Sequence, residues 1–220
     1  MGLQFCFGAA GAGKSRRLHQ DIIDWSLREP ERSFLLVVPD QFTMYTQMEL
    51  VKHHPRRGLL NIDVVSFGRM AHRIFAEVGG DHLKVLDDTG KSLVLRKLAA
   101  NLKKELPVIG KGLAKPGYIA EVKSAISEFM QYGIGPVQLQ ELVTFSAGRG
   151  VLLAKLTDLQ RLYQEFLTSI NERFMTTEET LDRMRMVLPQ SGWVRDSVVV
   201  FDGFTGFTPL QYRVIGEMMG

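Results

Sequence analysis

The chain has 220 residues, of which 45% are hydrophobic, which is enough for one large or two small globular domains. Its formal net charge of +3 is mildly basic, which suits a nucleic-acid partner and an ordinary solvated surface equally well. The single cysteine, Cys6, excludes a disulfide framework and any cysteine-based zinc or iron–sulfur site within this sequence.

The chain shows neither a signal-peptide pattern nor an apolar run of about 18 residues, the length that crosses a bilayer. We therefore expect no membrane contact and a reducing, cytoplasmic location.

Residues 8–15 read Gly-Ala-Ala-Gly-Ala-Gly-Lys-Ser, the GxxxxGK[ST] pattern of a phosphate-binding loop. In such a loop, backbone N–H groups surround a polyphosphate, Lys14 reaches the β- and γ-phosphates, and the Ser15 hydroxyl ligates Mg²⁺. We expect this loop to bind ATP through Gly8, Ala9, Ala10, Gly11, Ala12, Gly13, Lys14, Ser15 and Arg16.

The segments on either side of the loop support this interpretation. The apolar run around Leu3, Phe5 and Phe7, with Cys6 inside it, predicts a buried strand. Apolar residues at helical spacing from Leu18 onward predict a helix that begins directly after the loop and directs its N-terminal dipole at the phosphates.

Two further strands are predicted in the first 80 residues. Phe34–Val38 ends at Pro39-Asp40, with a helix from about Phe42. Ile62–Val65 ends at Ser66, a suitable N-cap for a helix over Phe67–Val78. Uninterrupted apolar runs of this kind are typical of parallel strands that are buried on both faces.

From about Val85 to Leu188 the pattern changes to successive helices. Thr176 and Glu179 have capping-box spacing, and residues 103–115 resemble a flexible or irregular loop. Two apolar stripes predict helix faces directed at a core: Ile119, Val122, Ile126 and Phe129, and then Leu152, Leu156, Leu159, Tyr163, Phe166 and Ile170.

Strand character returns at Ser197–Phe201, which ends at Asp202 and is followed by a helix from near Pro209. A carboxylate at the tip of a buried strand suits a second Mg²⁺ ligand beside Ser15, although Asp-Gly is also a common turn signal. The residue after this aspartate is the catalytic glutamate in many ATPases, and here it is Gly203. The sequence therefore predicts ATP binding with poor hydrolysis.

The predicted fold class is α/β: an incomplete, P-loop RecA-like parallel sheet from residues 1–84 and 192–220, interrupted by an all-helical subdomain at residues 85–191. Because a nucleotide-binding sheet with so few strands looks incomplete, we expect this to be the N-terminal part of a larger protein.

The order of the motifs resembles superfamily 1 helicases of the UvrD type. After the phosphate-binding loop come Val-Pro-Asp-Gln-Phe-Thr at 38–43 and Ser-Phe-Gly-Arg at 66–69. Residues 201–211 read Phe-Asp-Gly-Phe-Thr-Gly-Phe-Thr-Pro-Leu-Gln. They align without a gap with Val-Asp-Glu-Phe-Gln-Asp-Thr-Asn-Pro-Leu-Gln, except that Gly203 and Gly206 replace the glutamate and the second aspartate. Over essentially its whole length the chain resembles the N-terminal region of the B subunits of AddAB-type ATP-dependent helicase–nucleases, whose helicase region is degenerate.

The resemblance implies a protein that forms a heterodimer with an A subunit and handles DNA in double-strand break resection, recombination and Chi recognition. It also implies ATP and Mg²⁺ as cofactors, with the nuclease domain and its iron–sulfur cluster downstream of this chain. Weak or no ATPase activity and no nuclease activity are then expected of this chain alone. The positions of the motifs suggest single-stranded DNA contacts by Gln41, Thr43, Phe67, Arg69 and Phe207.

These residues also have simpler structural interpretations, and the function has alternatives. Phe67 could simply anchor its helix in the core, and Arg69 could be a solvated helix residue. A P-loop small-molecule kinase with a helical lid is the alternative enzyme, although it needs arginines around the acceptor. A scaffold that retains its loop only as a relic is the third interpretation.

Overall fold

A computed structural model describes residues 2–79, 84–112, 115, 117–171 and 173–219. The chain divides into two compact units. The sheet unit is Met1–Asp81, Leu181–Phe207 and Gln211–Gly220, and the helical unit is His82–Thr180 with Thr208–Leu210.

The described residues form five strands and eleven α-helices. The strands are β1 (Ser33–Val37), β2 (Ile62–Val65), β3 (Lys84–Leu86), β4 (Phe174–Thr176) and β5 (Ser197–Phe201). The helices are α1 (Lys14–Arg28), α2 (Thr43–His53), α3 (Phe67–Val78), α4 (Asp88–Asn101), α5 (Ile109–Gly112), α6 (Tyr118–Tyr132), α7 (Pro136–Phe145), α8 (Gly150–Ile170), α9 (Thr177–Val187), α10 (Gly192–Arg195) and α11 (Pro209–Met219). Short 3-10 turns lie at Asp40–Phe42 and Leu188–Gln190.

The sheet unit contains a parallel sheet in the order β2-β1-β5, so the α/β class is confirmed. The central strand, β1, pairs along both edges, and its residues Phe34–Val37 are at most 1% exposed. This burial explains the uninterrupted apolar run, since helices and neighbouring strands leave no solvent-facing side. Ile22 and Ile23 of α1 and Leu50 of α2 belong to the same core.

The predicted first strand is wrong for the described residues. Residues 2–7 have no strand structure, and Leu3, Phe5 and Phe7 are 64%, 70% and 87% exposed. A strand requires a hydrogen-bonding neighbour, and residues 2–7 pair with none of the described strands. Cys6, predicted inside that strand, is likewise exposed.

The other predicted elements of the sheet unit are confirmed. β1, β2 and β5 lie within a residue of their predicted bounds, and α1 begins directly after the glycine loop. Ser66 caps α3 by accepting a hydrogen bond from the backbone N–H of Arg69, as its sequence position indicated.

The helical unit has its own hydrophobic core. Both predicted stripes lie on helices, α6 and α8, although Leu152 at the start of α8 is 41% exposed. The capping box is present, because Thr176 N–H donates to the Glu179 carboxylate and Glu179 N–H donates to the Thr176 hydroxyl.

The expectation of helices alone between residues 85 and 188 is wrong in one respect. β3 and β4 pair in parallel across about ninety residues of sequence and form a two-stranded sheet. Each strand has only three residues, too few to show a periodicity.

The described part of residues 103–115 is anchored rather than loose. Asp158, which is 2% exposed, accepts hydrogen bonds of 2.8 Å from the backbone N–H groups of Val108 and Ile109. Leu106 and Ile109 are fully buried in the core of the helical unit. Within the described residues, no helix is both long and apolar enough to cross a membrane.

Candidate nucleotide-binding site

Three of the predicted motifs meet at one edge of the parallel sheet. Val38 N–H donates to the Val65 carbonyl, and Asp202 N–H donates to the Val37 carbonyl. The carboxyl ends of β1, β2 and β5 are therefore in register, and the segments that follow them lie side by side. In open parallel sheets, this is the edge where ligands bind.

The glycine-rich loop at residues 8–15 has the backbone that its glycines predict. Gly11 and Gly13 have φ of +75° and +82°, values that residues with a Cβ rarely adopt. Gly13 directly precedes α1, and Ala12 N–H donates to the Ala9 carbonyl at 3.2 Å. The loop is therefore a compact turn that ends at a helix N-terminus.

Lys14 lies folded against this loop. Its Nζ donates to the carbonyl oxygens of Gly8 at 2.8 Å and Ala9 at 2.9 Å. A Cβ at Gly8 would approach Ala12 Cβ at 3.3 Å and Lys14 Cγ at 3.4 Å, so the first glycine provides room for the lysine. The ammonium charge is thus held at the loop by two backbone dipoles.

Ser15 and Asp202 are brought together as predicted for a shared Mg²⁺ site. The Ser15 hydroxyl donates to Asp202 Oδ1 at 2.9 Å, although 187 positions separate them in sequence. Among the described residues, no group of three or more His, Cys, Asp or Glu side chains could hold a metal ion. A hydroxyl and one carboxylate nevertheless suit Mg²⁺, because it takes oxygen ligands and usually keeps several waters beside substrate phosphates.

His19 completes the surroundings of Asp202. It lies one helical turn after Ser15 on α1, and its Nε2 is 3.4 Å from Asp202 Oδ2. Both side chains are largely buried, with 17% and 14% exposed. The imidazole of His19 and then the hydroxyl of Ser15 hold the pKa of the Asp202 carboxyl below its usual range, against the opposing effect of burial.

Sequence reasoning missed His19. The available signal was its spacing of four residues from Ser15, which places both side chains on one face of the helix. That spacing becomes informative only when Asp202 is known to lie opposite this face of the helix.

Gly203 has φ of +77° and lies beside the segment that follows β1. A Cβ at this position would be 3.5 Å from Pro39 Cδ and 3.6 Å from Phe42 Cδ2, so space is adequate but the backbone conformation disfavours a side chain. The chain therefore lacks a glutamate here and also has a backbone that is unfavourable for one.

An aromatic cluster surrounds the end of β5; it consists of Phe67, Phe201, Phe204, Phe207 and Tyr212. Phe67 lies at its base, is 5% exposed, and is 5.9 Å from Phe201 between ring centroids. Phe204 and Phe207 are half-buried with centroids 4.8 Å apart, and Tyr212 is 60% exposed. The outer rings are thus accessible, whereas the ring of Phe67 supports them.

The remaining predicted DNA contacts differ in accessibility. Gln41 and Arg69 are exposed at the ends of β1 and β2, and no ion pair of Arg69 occurs among the described residues. Thr43 is 4% exposed, and its hydroxyl donates to the Asp40 carbonyl at 2.9 Å, so it stabilises the start of α2.

Comparisons with known proteins agree with the motifs. The family model described as ADDB, N-terminal, matches residues 5–220. The chain is 43% identical over 219 residues to the B subunit of the ATP-dependent helicase/deoxyribonuclease of Lachnoclostridium phytofermentans. It is 35% and 32% identical to the proteins of the same name from Desulforamulus reducens and Bacillus subtilis. Each match covers 100% of this chain and 19% of the relative, so the chain spans about a fifth of the length of these curated relatives. The family match and these identities show that the chain belongs to the ADDB N-terminal family.

Proposed function

We propose that this chain is the ATP-binding, single-stranded-DNA-handling N-terminal region of a helicase–nuclease B subunit, and that its sheet unit is a degenerate RecA-like helicase core. The complete protein would pair with an A subunit and act on DNA in break resection, recombination and Chi recognition. Nuclease activity and an iron–sulfur cluster would belong to the part of that protein outside this chain.

The observation that carries this proposal is the hydrogen bond between Ser15 and Asp202. A glycine turn alone would have no reason to place its serine hydroxyl 2.9 Å from a carboxylate at the tip of β5. In P-loop nucleotide sites, this hydroxyl and this carboxylate both serve the Mg²⁺ ion that accompanies the phosphates.

The site residues have separate roles in this proposal. Backbone N–H groups of the loop and the N-terminus of α1 bind phosphate oxygens, and Lys14 supplies positive charge. Ser15 and Asp202 would hold Mg²⁺, which supplies charge neutralisation between the phosphates. Gly203 provides no carboxylate to orient water, so binding rather than turnover is the expected outcome.

The DNA part of the proposal rests on the surface next to this site. Bases would stack on the outer rings of the aromatic cluster around Phe207, while Arg69 pairs with a phosphate or a base edge. Gln41 is exposed at the same edge of the sheet, whereas Thr43 and Phe67 support the surface from below. Nucleotide and single strand would then bind at adjacent positions.

The test is a titration of Mg-ATP into the chain and into the Ser15→Ala and Asp202→Asn variants. We expect saturable binding that each substitution weakens when Mg²⁺ is present, and a much smaller effect when it is chelated. The exposed Lys97 supplies a control, since Lys97→Ala removes a positive charge from the helical unit and leaves the sheet unit unaltered. Equal binding by all four proteins would contradict the assignment of the site.

The kinase alternative gains no support from the geometry. Arg17, one of its two candidate acceptor-binding arginines, pairs with Asp21 at 2.9 Å. Rapid ADP formation by the chain in the presence of a nucleoside or phosphorylated acceptor would favour a kinase over the proposed function.

A further inference from the structure

The carboxylate of Asp202 is held at both of its oxygens. Oδ1 accepts the Ser15 hydroxyl at 2.9 Å, and Oδ2 lies 3.4 Å from His19 Nε2. The backbone of Asp202 is fixed as well, because its N–H continues the β-ladder to the Val37 carbonyl at 3.0 Å. Only the side-chain torsions are left to be set, and these two neighbours set them.

His19 has no competing hydrogen bond. Its Nε2 atom is fully buried and has no hydrogen-bond partner of good geometry among the described residues, and Asp202 Oδ2, at 3.4 Å, is an acceptor within reach. A buried N–H that left this carboxylate would lose its acceptor, which is unfavourable in a site of low water content. The buried imidazole is therefore placed to fix the orientation of the Asp202 carboxylate.

We propose that His19 is a positioning residue of the nucleotide site: its Nε2–H holds Oδ2 of Asp202, so that Oδ1 and the Ser15 hydroxyl face the same side and form a prepared pair of oxygens for Mg²⁺. This inference rests on the proposed function. It assigns His19 no contact with the nucleotide or the metal ion, only with the carboxylate.

The consequence is specific to the metal ion. Without the imidazole, the Asp202 carboxylate can rotate away from Ser15, and Mg²⁺ has to order it on binding. Loss of a partner that orients a metal ligand typically lowers metal affinity by about 10- to 100-fold. The loop N–H groups and Lys14 do not depend on Asp202, so affinity for nucleotide without Mg²⁺ should not change.

The test is a Mg²⁺ titration of the chain at a fixed concentration of a fluorescent ATP analogue, with a parallel measurement of analogue binding in chelator. We expect His19→Leu to raise the half-saturating Mg²⁺ concentration about tenfold or more and to leave Mg²⁺-free affinity unchanged. His19→Gln, which retains an N–H donor near the Nε2 position, should restore most of the Mg²⁺ response. His53→Leu is the matched control, because His53 also contacts a carboxylate, Glu49, but on α2.

An unchanged Mg²⁺ half-saturation in His19→Leu, or an equal loss with and without Mg²⁺, would overturn the inference while leaving the proposed function in place. Absence of Mg-ATP binding by the unmodified chain would overturn both. If His19→Leu does not fold, His19→Gln and His19→Asn are compared instead. The asparagine amide is too short to reach Asp202, so only His19→Asn should raise the half-saturating Mg²⁺ concentration. Equal Mg²⁺ half-saturation in those two variants would also refute the role of His19.

Discussion

Replacing Phe207 by leucine tests whether the aromatic cluster binds bases. Leucine keeps much of the apolar volume but has no π face on which a base can stack. Stacking on an aromatic side chain is worth about 1–3 kcal/mol per base, so the Kd for single-stranded DNA should rise about 5- to 150-fold. Phe207 is half-buried and lies beside the exposed Tyr212, so its ring is accessible to a base.

The same substitution affects stability to a calculable extent. Phe207 has four ring neighbours, of which Phe204 at 4.8 Å and Tyr212 at 5.5 Å between centroids are nearer than Phe201 and Phe67. Aromatic pairs contribute about 0.5–1.5 kcal/mol each, so loss of the two nearest pairs should lower the free energy of unfolding by about 1–3 kcal/mol. Denaturant unfolding gives this quantity, and affinity is then compared only between folded proteins.

The assay is fluorescence anisotropy of a labelled oligonucleotide at constant salt, since salt alone changes such affinities. Phe67→Leu is the matched control. Because Phe67 is 5% exposed, it should lose stability while DNA affinity changes less than in Phe207→Leu. Wild-type DNA affinity in folded Phe207→Leu would refute the stacking argument, and a larger DNA effect at Phe67 would reverse the roles of the two rings.

Three predictions concern stability and turnover. Lys91→Met should lower the free energy of unfolding by about 3–5 kcal/mol, because it leaves the buried Glu178 carboxylate, 2.7 Å from Lys91 Nζ, without its partner. The double variant Lys91→Met with Glu178→Leu should recover much of this loss, and additive losses in denaturant unfolding would contradict the reasoning. Gly203→Ala should lower the free energy of unfolding by about 1–2 kcal/mol, because the positive φ of Gly203 disfavours a side chain. Gly203→Glu should not produce fast phosphate release from ATP. Rapid release from either the unmodified chain or the Gly203→Glu variant would contradict the account of a degenerate site. Hydrogen bonding, chiefly from Ser191, lowers the pKa of Glu77 below 4.5, so this carboxylate stabilises the fold above that pH and the contribution is lost as the pH falls through the lowered pKa. Glu77→Gln should thus reduce the urea midpoint at pH 7 and reduce it less at pH 3, and an equal reduction at both would refute the linkage.

The parts of the fold that the sequence predicts correctly are those with a strong local cause. β1, β2 and β5 are continuous apolar runs, and α3 has a capping serine at its start. Residues 2–7 have the same apolar pattern as a strand but no strand structure, because pairing depends on a neighbour that local sequence does not reveal.

The site shows the same division between local and distant causes. The octapeptide at residues 8–15 predicts the glycine loop, and the helicase-like motifs predict Phe67 and Phe207 as candidate DNA contacts. The pairing of Ser15 with Asp202 was predicted from the position of a carboxylate at the tip of a buried strand. The part of His19 could not be predicted, since it depends on a contact across 183 positions that only the folded sheet creates. The burial of Thr43 and Phe67 has the same origin, because a motif gives the position of a side chain in sequence but not its exposure.

The central claim is that the loop at residues 8–15 is a working phosphate site, and calorimetric titration of Mg-ATP into the chain tests it most directly. The account predicts saturable binding that is lost in a folded Lys14→Ala variant and retained in Lys97→Ala. Lack of binding by the unmodified chain, or binding that survives Lys14→Ala undiminished, would contradict it.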